Sequence, residues 1–331
     1  MPLQNLVAKK IFEDVIRPLK TDENGKQQWN VLVLDKFSSK MVSCCLKMSN
    51  LTEENISTVE DLHKKRQPIR NLDVIYLVSP TAESYKKAHI FFTTPCSDTL
   101  FRKLAQSRVS SFIKTLKEIN LAFLPVESQV FSLNLPEVFP SFFGSQRSPK
   151  YRAPKFDEKL GKMAEQIATL CVLLEEYPAI RCRRLCDNNI ELCIQIEEKL
   201  QNYKKDYPNM GKGYEKSRSQ LIIVDRGFDF ITPLLHEMTY QAMAQDLLTL
   251  NEDSILDEND PIWLAMRHNH IAVVSAHVGS KMKELQGREV AKMKSAKVKE
   301  ISNIMKSLPA HQRIVQNFSA FIKATKTRVQ L

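Results

Sequence analysis

The chain has 331 residues, 43% hydrophobic and 26% charged, a balance that excludes a disordered or fibrous protein and allows two or three domains with cores. No apolar run approaches the roughly 20 residues that a bilayer-spanning helix needs. The net charge of +10 is uneven, because Lys281 to Leu331 holds twelve Lys or Arg against three Glu. Such a basic end suits an acidic partner, whether an anionic membrane, nucleic acid or an acidic protein helix. A solvated helix face accounts for it equally.

The first twenty residues, MPLQNLVAKKIFEDVIRPLK, carry acidic side chains and no unbroken apolar stretch, unlike a signal peptide, so a mature cytosolic chain is expected. Leu6, Val7, Ile11, Phe12, Val15 and Ile16 recur at helical spacing and predict an amphipathic helix over Leu3 to Leu19. Trp29 to Leu34 predicts a buried strand and Lys36 to Lys47 a short helix. Asp73 to Val78, Ala88 to Phe92 and Ile119 to Leu124 predict further strands, with helical patterns at Asp98 to Ala105 and Arg108 to Glu118. Continuous apolar strands alternating with helices indicate a mainly parallel sheet covered on both faces. Only residues 80–87 separate the second and third strands, too few for a helical crossover. Either those strands are not parallel neighbours or a segment is missing from this chain.

Ser141 to Pro154 reads as a linker, and Asp157 to Tyr177 as a long amphipathic helix. Ala179 to Cys182 is a short strand and Asn189 to Tyr203 another helix. Leu221 to Val224 predicts a buried strand that ends at Asp225-Arg226-Gly227-Phe228-Asp229. Leu234, Leu235, Met238, Ala242, Met243 and Leu247 then recur at helical spacing. Glu252 to Asp260 is acidic and turn-like. Helical patterns follow at Trp263 to Val278, Val290 to Leu308 and Ile314 to Ile322. No internal repeat and no low-complexity segment interrupts this order.

The chemical motifs are few. Asp225 and Asp229 around Arg226 are better read as charge pairing at a loop corner than as catalysis or a metal site. The seven cysteines lack a Cys-x-x-Cys pair, so Cys171, Cys182, Cys186 and Cys193 read as reduced thiols and not as zinc ligands. His268 and His270 fall on different sides of a helix, which suits a surface or capping role. Gly211-Lys212-Gly213-Tyr214-Glu215-Lys216-Ser217 has the wrong spacing for a phosphate loop and precedes its strand. No cofactor, no metal and no enzymatic activity is expected.

Two surfaces remain. The segment VLVLDKFSSKMVSCCLKMSNLTEENISTVEDLHKKRQPI gathers Asp35, Lys40, Lys47, Glu60, Asp61, Lys64, Lys65 and Arg66 around the carboxyl ends of a sheet. Loops there bind partners in open α/β folds, although a solvated charged surface explains the same residues. The second surface holds Cys96, Phe101, Ile113, Leu116 and Glu118, whose apolar members also suit a plain core cluster.

The segment SQLIIVDRGFDFITPLLHEMTYQAMAQDLL, together with these two surfaces, resembles the SM (Sec/Munc) family of syntaxin-binding proteins, of the exocytic type. The resemblance covers nearly all of the chain and implies an SM-type multidomain α/β fold. Residues 1–138 would form an N-terminal syntaxin-binding α/β domain and 139–154 a linker. Residues 155–250 would form the first segment of a second α/β domain with an incomplete sheet, and 251–331 the start of a helical third domain. It further implies that Asp35, Lys40, Lys47, Glu60 and Lys64 line the cleft for closed syntaxin. Cys96, Phe101, Ile113, Leu116 and Glu118 would form the outer pocket for syntaxin's N-terminal peptide, Phe101, Ile113 and Leu116 holding an apolar anchor and Glu118 a basic residue. Gln67 stands where syntaxin-binding members carry an acidic residue. Family members are roughly twice as long, so a truncated or variant form is expected. The implied function is regulation of SNARE-mediated vesicle docking and fusion by stoichiometric binding of syntaxin and the SNARE complex. The protein would be a monomer, cytoplasmic and held at the plasma membrane through syntaxin, with no nucleic acid bound. Two rivals are a basic membrane-surface or nucleic-acid-binding module, and a non-functional fragment of the full-length protein.

Overall fold

The computed structural model describes residues 1–277 and 280, apart from 22–24, 26, 65–71, 81–87, 108–109, 144–153, 185–186, 213–216 and 248–260. It divides into two compact units, Met1–Asp225 and Arg226–Leu331.

The first unit opens with helix α1 (Leu3–Ile11), which widens into a π turn at Phe12–Ile16 and tightens to a 3-10 turn at Arg17–Leu19, where Pro18 has no N–H to give. A five-stranded parallel sheet follows, in the order β2 (Ile56–Asp61), β1 (Asn30–Leu34), β3 (Asp73–Val78), β4 (Ala88–Phe92) and β5 (Ile113–Glu118). The apolar runs are continuous because both faces of the sheet are covered. Leu32, Leu34, Ile75, Leu77 and Phe91 pack on one side with Val7 and Ile11 of α1 and with Met41 and Val42 of α2 (Lys36–Cys45). Val31, Val33, Tyr76, Val78, Ile90 and Phe92 pack on the other, against which Leu104 of α4 (Asp98–Gln106) is set. A short helix α3 (Met48–Glu53) leads into β2.

β3 and β4 are parallel neighbours in continuous register, Val74 opposite Ala88 through Val78 opposite Phe92. Of the two alternatives the first is excluded, and residues 79–87 connect the two strands. Two further expectations are corrected. The Arg108 to Glu118 pattern is not a helix: it holds a 3-10 turn at Ser110–Phe112 and then strand β5. Ile119 to Leu124 is largely buried, but only Leu124 lies in a strand, because Asn120 adopts a left-handed φ of 52° that breaks the extended chain. Its amides instead cap β4, Ile119 donating to Phe92 O at 2.9 Å and Leu121 to Thr93 O at 2.8 Å. A hairpin of β6 (Leu124–Glu127) and β7 (Val130–Ser132) follows. The start of the expected linker is helical, as α5 (Val138–Phe143).

Helix α6 (Pro154–Leu173) joins two cores. Leu170 sits in the core beneath the sheet, while Leu160, Ala164, Ala168 and Cys171 pack with Leu192, Ile196 and Leu200 of α7 (Asp187–Asp206). The Gln166 side chain fixes the crossing by donating to Ala122 O at 2.6 Å and Leu133 O at 3.0 Å. β8 (Ala179–Cys182) and β9 (Gln220–Ile223) form a two-stranded parallel sheet beside α7. β9 is half-exposed and not buried as its sequence suggests.

In the second unit the helix expected from Leu234 onward begins only at α8 (Tyr240–Leu247), and Leu234, Leu235 and Met238 lie exposed before it. The pattern from Trp263 to Val278 is broken into α9 (Pro261–Met266) and a helical stretch over 271–277. The ring of Tyr240 meets Trp263 edge-on at 5.3 Å, and Met266 and Val274 are buried beside Tyr240. The helical patterns at Val290 to Leu308 and Ile314 to Ile322, and the basic end, lie outside the described residues.

Candidate functional site

A bulge in β5 builds the first surface. Ile113 pairs with Ala88 and Thr115 with His89, so Lys114 is an extra residue on this edge strand. Ile113, Leu116 and Glu118 then stand opposite Ala88, Ile90 and Phe92, alternate residues of β4, and share one face of the sheet. Without the extra residue the three-residue step from Ile113 to Leu116 would put them on opposite faces. Ile113, Leu116 and Cys96 are half-buried against the core of that face. Glu118 Oε1 accepts from the Cys96 amide at 2.7 Å, which fixes the carboxylate while leaving it at the surface. Its charge and that of Asp98 add to burial in pushing the Cys96 thiol up.

Helix α4 forms one wall. Ser97 caps it by accepting from Leu100 N at 3.4 Å, and no residue of the helix is buried. Phe101 is 51% exposed, so it is not part of a core cluster. The result is an apolar shelf with a fixed carboxylate at its rim and an aromatic ring on the neighbouring helix.

The other face of β5 is electrostatic. Lys114 donates to Asp73 at 2.6 Å, and His89 lies 3.6 Å from the same carboxylate while meeting Thr115 Oγ1 at 2.9 Å. Burial alone would raise the Asp73 pKa, but the Lys114 ammonium holds it below the usual range. Burial lowers that of His89 despite Asp73. Lys117 reaches Asp14 at 3.4 Å, beside the Lys10–Asp14 pair at 3.3 Å.

The second surface lies on the side of the sheet that ends in β2. Glu60 lies within edge strand β2, opposite Val33, and Lys64 follows that strand's carboxyl end. Lys47 is elsewhere: it is the N-cap residue of α3, before the amino end of β2, and its amide donates to Asn50 at 3.1 Å. Glu60 and Asp61 are the last two residues of β2 and Lys64 follows them, so these charges gather at the strand's carboxyl end, as the sequence suggests, while Lys47 does not. Lys40 is half-buried on α2. Asp35 is engaged by its own chain. It accepts from Ser38 N at 2.8 Å, capping α2, from Ser79 N at 2.7 Å, clamping the end of β3, and from the Ser38 hydroxyl.

The remaining motifs have structural roles. Asp229 accepts from Ile231 N at 2.9 Å and Thr232 N at 3.1 Å, and with the Thr232 hydroxyl these bonds lower its pKa. It therefore caps a 3-10 turn in place of pairing with Arg226. His270 Nδ1 accepts from Ala272 N at 3.2 Å, a capping bond. Among the described residues no group of three or more His, Cys, Asp or Glu could hold a metal, and no helix is long and apolar enough to cross a membrane.

Comparison with known proteins gives the class of this fold. The Sec1 family model matches residues 30–327, and the chain belongs to that family. It is 32% identical to the protein transport protein sec1 of Dictyostelium discoideum over 97% of this chain and 58% of that one. It is 28% identical to the SNARE-interacting protein KEULE of Arabidopsis thaliana over 98% of this chain and 55% of that one. The Unc18–syntaxin 1 complex of Monosiga brevicollis aligns with a TM-score of 0.78 at 28% identity, covering 98% of this chain and 62% of that one. The chain thus spans little more than half the length of these relatives.

Proposed function

We propose that this chain binds a syntaxin-type SNARE and regulates SNARE-mediated vesicle docking and fusion by stoichiometric binding, without catalysis, at the plasma membrane. The β5 bulge carries the reading: it turns Ile113, Leu116 and Glu118 to one face, giving an apolar seat with a fixed negative charge at its edge. A short peptide with an apolar anchor and a basic residue fits that chemistry. The likeness to an Unc18 protein solved with syntaxin 1 supports it. Glu60 and Lys64 at the carboxyl end of β2, with Lys40 on α2 and Lys47 at the start of α3, serve the longer helical partner, where mixed charges give specificity and faster association more than affinity. Asp35 caps α2 and clamps the end of β3, a structural role.

Calorimetric titration with a syntaxin cytoplasmic region, with and without its N-terminal peptide, tests the reading. Affinity should fall at least tenfold when the peptide is removed or Phe101 is changed to Glu, with the unfolding midpoint of F101E unchanged. Equal affinity for both syntaxin forms would remove the shelf from the mechanism. No binding of either form by folded protein would reject the function.

A further inference from the structure

We propose that a cleft beside helix α1 is a second docking site, which takes a basic peptide segment of a partner protein, an arginine or lysine next to an apolar residue. Its volume of about 510 Å³ falls within the roughly 300–1,000 Å³ of ligand pockets. None of its lining residues belongs to the β5 shelf or to the charged surface beside β2. One wall is α1 with the π turn that follows it. The other is the C-terminal end of α6 together with the turn after α7. Leu6, Val172, Leu173 and Met210 make the apolar part of the lining, buried or half-buried, and beside them Tyr207 is 42% exposed.

The charge in the cleft is negative, although the chain as a whole carries +10. Its two lysines are answered on their own helix, Lys9 lying 4.0 Å from Glu13 and Lys10 3.3 Å from Asp14. Glu175 and Asp206 also line the cleft, exposed and without an ion pair among the described residues. The lysines that precede Asp206 are engaged elsewhere: Lys204 lies over the Tyr177 ring at 4.0 Å and Lys205 donates to Asn202 at 3.0 Å. The carboxyl ends of two twenty-residue helices, α6 and α7, meet at this wall and add partial negative charge.

The backbone fixes Glu175 in place. It adopts a left-handed φ of 55° where α6 ends, a position that glycine usually fills. Its amide donates to Val172 O at 3.0 Å, and its own carbonyl accepts from Gly211 N at 2.9 Å, which ties the turn after α7 to the end of α6. Among the described residues no three carboxylates converge on a metal, so the complementary ligand is an organic cation. An arginine or lysine head can pair with Glu175 or Asp206 and lie against the Tyr207 ring, while its hydrocarbon stem and an apolar neighbour cover Leu6 and Leu173.

The test is fluorescence anisotropy of the full chain with the rhodamine-labelled peptide Gly-Ser-Arg-Leu-Arg-Ser-Gly, against a control with glutamate in place of both arginines. We expect saturable binding of one basic peptide per chain and none of the control. The double variant Glu175→Gln with Asp206→Asn should weaken binding about tenfold or more. Glu175→Gly should weaken it too, while its unfolding midpoint does not fall, because glycine takes the left-handed conformation without strain. That pairing separates a binding role from a structural one. Binding that survives in the double variant, or equal binding of the control peptide, would overturn the proposal. So would the absence of saturable binding to the folded chain, whether the cleft recognises no cation or the chain's own basic end fills it.

Discussion

β1 and β9 are both short apolar strands in parallel ladders, yet β1 is buried at every position while β9 alternates between exposed and half-buried. Their composition does not separate them, NVLVL against QLII. Their neighbours do. β1 has β2 and β3 on its two sides and packed layers on both faces. β9 pairs with β8, and only Leu221 and Ile223 reach the core made by α6 and α7, while Ile222 stays 66% exposed. An apolar β-branched run specifies an extended chain, and the layers around it decide what burial contributes.

The sharpest way to break this comparison is a cavity in the first sheet. Leu77 is fully buried in β3 between its neighbouring strands, so Leu77→Ala should cost about 2–5 kcal/mol in urea unfolding. A cost below about 1 kcal/mol would mean that the two sheets are equally loose.

Next in size is the clamp at the end of that sheet. Asp35→Ala removes the cap of α2 and leaves the Ser79 amide without its acceptor, which should cost about 1–3 kcal/mol. Thermal unfolding checks the cost. At a temperature where the variant is folded, its affinity for a syntaxin region should stay within about threefold, well under the tenfold that 1.4 kcal/mol of binding energy represents. A greater loss would return Asp35 to the binding surface.

Much of the first sheet was legible in the sequence, because β1, β3 and β4 are continuous apolar runs buried on both faces. What was hidden had physical causes. β2, ISTVED, is an edge strand with alternating exposure, and its polar residues left no apolar run to find. β5 imitated a helix because its bulge sets Ile113 and Leu116 three residues apart on one face. Ile119 to Leu124 imitated a strand because burial alone marks both a strand and a packed loop, and only the left-handed Asn120 separates them. On the site, the residue types of the shelf alone suited a core cluster and only the resemblance set them in a pocket, and the sequence could not show that Asp35 is taken up by its own chain or that Lys47 is the N-cap residue of α3.

The first sheet should also carry the stronger pH dependence. His89 is buried with its pKa below 6.5, so the unfolded chain binds a proton more readily than the folded one. Stability should therefore fall as pH drops below about 6.5, until His89 itself protonates. Asp73, held low by Lys114, adds a further loss at more acid pH as its own carboxylate protonates. His89→Gln should flatten the urea midpoint between pH 7 and 5. An unchanged slope would assign that dependence elsewhere.

The smallest effect is expected at Ile222, and it bears most directly on the difference between the sheets. Ile222→Thr keeps the β-branched shape and removes apolar surface from a side chain that is 66% exposed. Such a change should alter stability by no more than about 0.5 kcal/mol, against several for the cavity at Leu77. Exposed apolar side chains on a strand promote association, so the variant should stay monomeric to higher concentration in light scattering. If Ile222→Thr instead costs as much as a core substitution while association is unchanged, the outer face of β9 is covered in the folded protein. The two sheets would then differ in what covers them and not in how tightly they are packed.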